Sequence, residues 1–223
     1  MPNLDIPHLW CPGLDTEMGQ RGERFISANK WHGTILEGGK KQLGGFGPHG
    51  KLYILSHGHA QMPVFTTEKG SWTAEQLAAL LEADGLAKDQ REIELLVCHA
   101  GESVNSKAVG GKLMAVSQSY QDAKAANASV DSAPFKKKYD KINAKSTQPT
   151  FFESEPERLL VPLSAQLADA LKKKHFTNFR VTAYKCPVAQ YNPGPGVFLD
   201  LTPKGGNWGE KASDHAGYTV VWQ

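Results

Sequence analysis

No stretch of this chain approaches the ~20 consecutive apolar residues that a membrane-spanning helix needs, so no membrane span is expected. Charge of one sign is also missing. Against 25 Lys and Arg stand 23 Asp and Glu, and a formal net charge of +2 does not point to nucleic acid as a partner. Cysteine is scarce: Cys11, Cys98 and Cys186 are too few and too scattered for a disulfide framework, and a reducing compartment is the simpler setting. The opening Met1-Pro2-Asn3-Leu4-Asp5-Ile6 lacks the basic and apolar regions of a secretory leader. The chain is therefore expected to stay in the cytoplasm or to be exported without a cleaved signal peptide. No internal repeat of solenoid type is present, and 223 residues suit one sizeable α/β domain, 1–223.

What the chain does have is two apolar runs that each end in a reactive side chain. Leu52-Tyr53-Ile54-Leu55-Ser56 leads into His57-Gly58-His59, and Ile93-Glu94-Leu95-Leu96-Val97 leads into Cys98-His99-Ala100-Gly101. Between them we expect one helix: Thr73 can cap it with Gln76 three residues on, Leu77, Leu80 and Leu81 share a face, and Gly85 ends it. Strand, helix, strand is a parallel crossover unit, and function in open α/β sheets gathers at the carboxyl ends of the strands. His57 and Cys98 would both stand there, on strands roughly 4.8 Å apart.

The first fifty residues are rich in glycine and predict loops around one short strand near Thr34 to Glu37. Residues 51–185 read as the α/β core. Within it a helical stretch covers roughly Gly111 to Ala126, and a polar, lysine-rich insertion follows at about 127–150. A second helix, Ser164 to His175, places Leu163, Leu167, Ala170 and Leu171 on one face and precedes a strand from Phe179 to Lys185. At 196–223, Gly196 to Leu201 and Gly217 to Trp222 predict an antiparallel strand pair, a C-terminal hairpin or flap.

A cysteine ending a buried strand is more often a small apolar residue than a nucleophile. The histidine changes the balance, because a thiol attacks a carbonyl as thiolate and an imidazole within reach can accept its proton. Gly58 adds to this: a glycine directly after the histidine leaves its amide able to approach a developing oxyanion, and the amide of Cys98 could supply the second donor.

This order of strand, His57-Gly58, a helix headed by Trp72-Thr73, and strand-Cys98 resembles the caspase-like (clan CD) cysteine peptidases. Within that group it is most similar to the self-cleaving cysteine protease domains of large bacterial toxins. The resemblance rests on Lys51 to Gly101, with the helix and strand from Ser164 to Lys185 added. It implies a three-layer caspase-like α/β sandwich with a mostly parallel central sheet, and a thiol protease acting on a peptide or protein substrate with no cofactor required. His57 would be the catalytic histidine, Cys98 the nucleophile, and Gly58 part of the oxyanion hole. The acid that orients the histidine in those domains would be Glu37 or Asp15. Inositol hexakisphosphate or another polyanion is implied as an activator, with Lys136, Lys137, Lys138, Lys172, Lys173 and Lys174 as the basic residues to hold it.

Two other readings stay open. His57, His59, Cys98 and His99 offer four nitrogen or sulfur ligands, the number a tetrahedral zinc takes, although adjacent Cys98 and His99 would converge only in a turn. A non-catalytic caspase-like binding module would instead use the lysine runs as contact surface. The run Lys172 to Lys174 is also accounted for by the dipole of a helix C-terminus.

Overall fold

The computed structural model describes residues 7–45, 49–59, 62–101, 104–105, 134, 159–160, 162–186, 188, 195–199, 210–214 and 216–223. The chain resolves into two compact units, one formed by Met1–Glu102 with Pro162–Gln223 and the other by Ser103–Val161. The lysine-rich insertion at 127–150, apart from Pro134, and the helix expected at Gly111 to Ala126 belong to the second unit and lie outside the described residues. The described part of that unit includes two short strands, Val104–Asn105 and Leu159–Leu160, paired antiparallel.

The first unit is built on a six-stranded sheet. In chain order its strands are β1 (His8–Cys11), β2 (Ile35–Glu37), β3 (Lys51–Leu55), β4 (Glu92–Leu96), β5 (Arg180–Tyr184) and β6 (Thr219–Trp222). Across the sheet they run β6, β5, β4, β3, β1, β2, all parallel except β6, which is antiparallel to β5. The chain steps outward from β1 to β2 and then returns to the other side of β1 for β3. The strand order therefore reverses between β1 and β3, the place in an open α/β sheet beside whose carboxyl ends function gathers.

Side chains alternate across the sheet and feed two separate apolar clusters. Trp10, Leu52, Ile54, Ile93, Leu95, Val181 and Ala183 face one way, where the helices α2 (Ala74–Ala83) and α3 (Leu163–Lys173) cover them. Leu9, Cys11, Tyr53, Leu55, Leu96 and Tyr184 face the other, against α1 (Thr16–Ala28) and residues of the C-terminal segment such as Leu199 and Ala212. Helices on both faces of a mostly parallel sheet are compatible with the expected three-layer sandwich.

The helix at Thr73 forms as anticipated. Thr73 Oγ1 accepts from the Gln76 amide at 3.3 Å and Gln76 Oε1 from the Thr73 amide at 2.9 Å, while Ala74, Leu77, Ala78 and Leu81 are buried and Leu80 only partly so. Three expectations need correction. The glycine-rich start is not loops around one strand, because β1 is an interior strand of the sheet, between β3 and β2, and α1 follows it. Met18, Arg21, Gly22 and Phe25 form the buried stripe of α1, and the packing at Gly22 is close: a Cβ there would stand 2.4 Å from Ile35 Cδ1 and push that side chain aside.

Nor is the connection from β3 to β4 a single helix. It begins with a three-stranded antiparallel sheet, β7 (His57–His59), β8 (Met62–Thr67) and β9 (Gly70–Trp72), before α2. At the C-terminus the two expected strands do not pair with each other among the described residues. Phe198–Leu199 pairs with Glu210–Lys211, whereas Thr219–Trp222 joins the main sheet. Aligning Thr219–Trp222 with β5 buries more of an apolar strand than a free flap could.

One structural residue was invisible in the sequence. Asp84, fully buried at the end of α2, accepts from Trp10 Nε1 at 2.9 Å and from the amides of Gly39 at 3.0 Å and Lys41 at 3.1 Å. It ties β1, the loop after β2 and α2 together. Asp84→Asn turns an amide toward some of these donors, and chemical denaturation should show a loss of about 2 kcal/mol.

Candidate active site

The site is assembled where the strand order reverses. Strand β1 feeds the N-terminus of α1, β3 feeds β7, and β4 ends beside β3, so Glu17, His57 and Cys98 all arise at carboxyl ends of neighbouring strands. Buried Ser56 sets the bend between β3 and β7, its hydroxyl lying 2.9 Å from the Thr66 carbonyl and 3.1 Å from that of His57.

Gly58 and Cys98 meet at the backbone. A Cβ on Gly58 would stand 2.2 Å from the Cys98 carbonyl oxygen and 2.5 Å from Val97 Cγ1. No side chain fits between the two segments, which gives the glycine after His57 a physical reason. The turn after β4 is fixed from three sides: the His99 amide donates to the Cys186 carbonyl at 3.1 Å, the Gly101 amide to Tyr184 at 2.9 Å, and the Ser164 amide at the start of α3 to Ala100 at 2.9 Å. His99 takes a left-handed backbone, φ 58°, to make that turn. Cys98 is half-buried, and its Sγ lies 3.9 Å from the carbonyl oxygen of Val188.

The His57 ring, 35 % exposed, is held by α1. Its Nδ1 is 3.4 Å from Arg21 Nη1 and its Nε2 is 3.4 Å from Glu17 Oε2. A guanidinium can only donate, so Nδ1 is the acceptor and the ring proton sits on Nε2, toward Glu17. Among the described residues no hydrogen bond joins the ring to the Cys98 thiol.

The two carboxylates expected to orient His57 serve the hairpin that carries it. Asp15 caps α1 through the Met18 amide at 2.8 Å and accepts from the Glu68 amide, also at 2.8 Å. Glu37 holds Lys69 at 2.8 Å, and that hydrogen bond keeps its carboxyl below the usual range. Both thus anchor the turn between β8 and β9, and the carboxylate facing His57 is Glu17. Sequence reasoning missed Glu17 and Arg21 because they lie on a helix that the glycines concealed. Had α1 been recognised, their spacing of four would have placed them on one face.

The lysine run Lys172 to Lys174 closes α3, whose first turn is tied to Ala100. At 1.5 Å per residue the run stands roughly 15 Å along the helix from the Cys98 turn. Lys174 gives its charge to Glu82 at 2.6 Å, and Lys174 with Lys88 pulls the Glu82 carboxyl down to about 2. Lys136, Lys137 and Lys138 lie outside the described residues, as does the side chain of His59. Among the described residues no three His, Cys, Asp or Glu groups converge as metal ligands.

A second polar assembly stands on the α1 face of the sheet. Lys51, Glu94 and Tyr184 form an ion pair and a hydrogen bond around the buried Glu94 carboxylate, at the rim of a cavity of about 480 Å³ that Arg180 and Lys211 also line. Burial, reinforced by Glu94, raises Tyr184. Burial pulls Lys51 down, but the attraction of Glu94 outweighs it and the net shift is upward. Neither His57 nor Cys98 lines this cavity.

Among the described residues no helix is long and apolar enough to cross a membrane. Compared with known proteins, the chain matches no protein-family model and no curated protein.

Proposed function

We propose that the protein is a caspase-like cysteine peptidase in which Cys98 forms a thioester with the substrate and His57 moves the protons. The observation that carries this reading is the contact of the His57-Gly58 segment with the Cys98 backbone at the carboxyl ends of adjacent parallel strands. It supports a site that draws on the Cys98 thiol, the His57 imidazole and the amides of Gly58 and Cys98, the kinds of group that acyl transfer uses.

In the first half-reaction His57 takes the Cys98 proton, the sulfur adds to the scissile carbonyl, and the oxyanion is met by the two amides. The tetrahedral intermediate then expels the amine, to which the imidazolium returns the proton, leaving the thioester. Water, deprotonated by His57, cleaves it and regenerates the thiol. Arg21 and Glu17 occupy both ring nitrogens in the described arrangement, so the ring must leave Arg21 to accept a proton at Nδ1.

Glu17 is suited to stabilise the imidazolium that forms. It is 46 % exposed, so its contribution is screened by water and salt. Glu17→Gln should lower kcat/KM three- to tenfold, with the deficit shrinking as salt is added. A positional library of fluorogenic peptides tests the activity itself. The wild type should turn over a subset of it and Cys98→Ala none, and equal turnover by Cys98→Ala would overturn the proposal.

A further inference from the structure

A backbone bond just past the ends of two neighbouring strands brings the segments carrying two cysteines together. Strands β4 and β5 pair Arg180 with Glu92, Val181 with Ile93 and Thr182 with Glu94. The ladder ends there and the chain turns after Cys98, the Gly101 amide taking the Tyr184 carbonyl, but the same offset of residues carried past the ladder sets Cys186 opposite Cys98. The bond that such a parallel pair requires is present, from the His99 amide to the Cys186 carbonyl at 3.1 Å.

Alternation puts both side chains on one face. Leu96 and Tyr184 belong to the α1-side cluster, Cys186 is a member of it, and Cys98 packs against it, while Val97 and Ala183 face the opposite cluster. The Cys98 sulfur also reaches the segment just past Cys186, at the Val188 carbonyl. The backbone bond holds the two segments at about the 4.8 Å spacing of neighbouring strands, inside the roughly 4.4–6.8 Å between Cα atoms that a disulfide spans. No disulfide joins them in this structure.

We propose that Cys98 and Cys186 are a redox pair that closes to a reversible disulfide when the protein meets a peroxide. Cys98 is the half-exposed partner and meets the oxidant, whereas Cys186, 6 % exposed, is the resolving thiol behind it. The Cys98 thiolate attacks the peroxide, forming an S–O bond and breaking the O–O bond, and hydroxide leaves. The Cys186 sulfur then attacks the sulfenic sulfur, the S–S bond forms, the S–O bond breaks, and the hydroxyl departs as water with the Cys186 proton. Two thiols lose two electrons to one peroxide, and two waters result.

The disulfide itself does not depend on the peptidase reading. Its consequence does: on that reading it ties off the nucleophile and protects it from irreversible oxidation to sulfinic acid.

The test treats the reduced full chain with equimolar hydrogen peroxide, blocks remaining thiols with N-ethylmaleimide, and maps cysteines by mass spectrometry of a non-reducing tryptic digest. The expected product is an intramolecular link between the peptides carrying Cys98 and Cys186, reversed by dithiothreitol, with Cys11 alkylated only after unfolding. In Cys186→Ala, Cys98 should instead accumulate as a sulfenic acid trapped by dimedone and proceed to sulfinic acid. The proposal is overturned if wild type and Cys186→Ala over-oxidise Cys98 at the same rate with no linked peptide, or if the link joins two chains. A linked peptide in a protein without peptidase activity would leave the pair standing and remove the peptidase reading, and active protein without the link would do the reverse.

Discussion

His57→Ala is expected to slow acylation of Cys98 by a peptide ester about 10²- to 10⁴-fold, the range that a positioned general base contributes. Without the imidazole the thiol has no described proton acceptor except the Val188 carbonyl, which is too weakly basic to generate thiolate. The fold should survive the change. His57 is about one-third exposed, and its ring contacts on α1 are long, at 3.4 Å each. The melting temperature should therefore move little while stopped-flow acylation collapses. A rate within threefold of wild type would mean that His57 does not serve Cys98.

The second large effect is expected of the smallest change. Gly58→Ala places a methyl 2.2 Å from the Cys98 carbonyl oxygen and 2.5 Å from Val97 Cγ1, distances that force β7 and the end of β4 apart. Overpacking of this kind costs about 1–3 kcal/mol in stability. The kinetic cost should be larger on the proposed mechanism, in which the amides of Gly58 and Cys98 both meet the oxyanion, since removal of a single oxyanion donor costs about 10²- to 10³-fold in kcat. Urea unfolding and peptide turnover, measured on the same preparation, separate the two. Gly22→Ala is the control: it also overlaps neighbours, the Ile35 and Leu9 side chains where α1 packs on β1 and β2, but does not touch the Cys98 turn, so it should destabilise without changing the chemistry of Cys98 in the molecules that remain folded.

These positions also show where the sequence was informative. Strands β3 and β4 could be read because each is a short apolar run stopped by a reactive residue, and α2 because a capping box announces it. Strand β1 has only four residues between Pro7 and Pro12, too few for a periodicity, although it is an interior strand of the sheet. Helix α1 was hidden by Gly19 and Gly22, which each cost about 1 kcal/mol of helix propensity that packing on β1 and β2 restores. With α1 went Arg21, 36 residues before the histidine it touches, and Glu17 beside it. Their meeting with His57 follows from the reversal of strand order, a property of topology that local spacing does not encode. The same holds for Glu94, whose carboxylate is buried among apolar strand residues because Lys51 and Tyr184 arrive from neighbouring strands. Asp15 and Glu37 were found in the right part of the chain but hold the hairpin rather than the histidine.

Labelling of the native protein with a peptidyl acyloxymethyl ketone library, followed by mapping of the modified cysteine, bears most directly on the central claim. Three thiols compete in this experiment. Cys11 is fully buried and burial pushes its thiol up to about 12, so it should stay unmodified, and buried Cys186 should react only slowly. The account predicts stoichiometric modification of Cys98 at least tenfold faster than of either other cysteine, slowed in His57→Ala. Equal labelling of all three thiols, or an inert Cys98 in the folded protein, would contradict it.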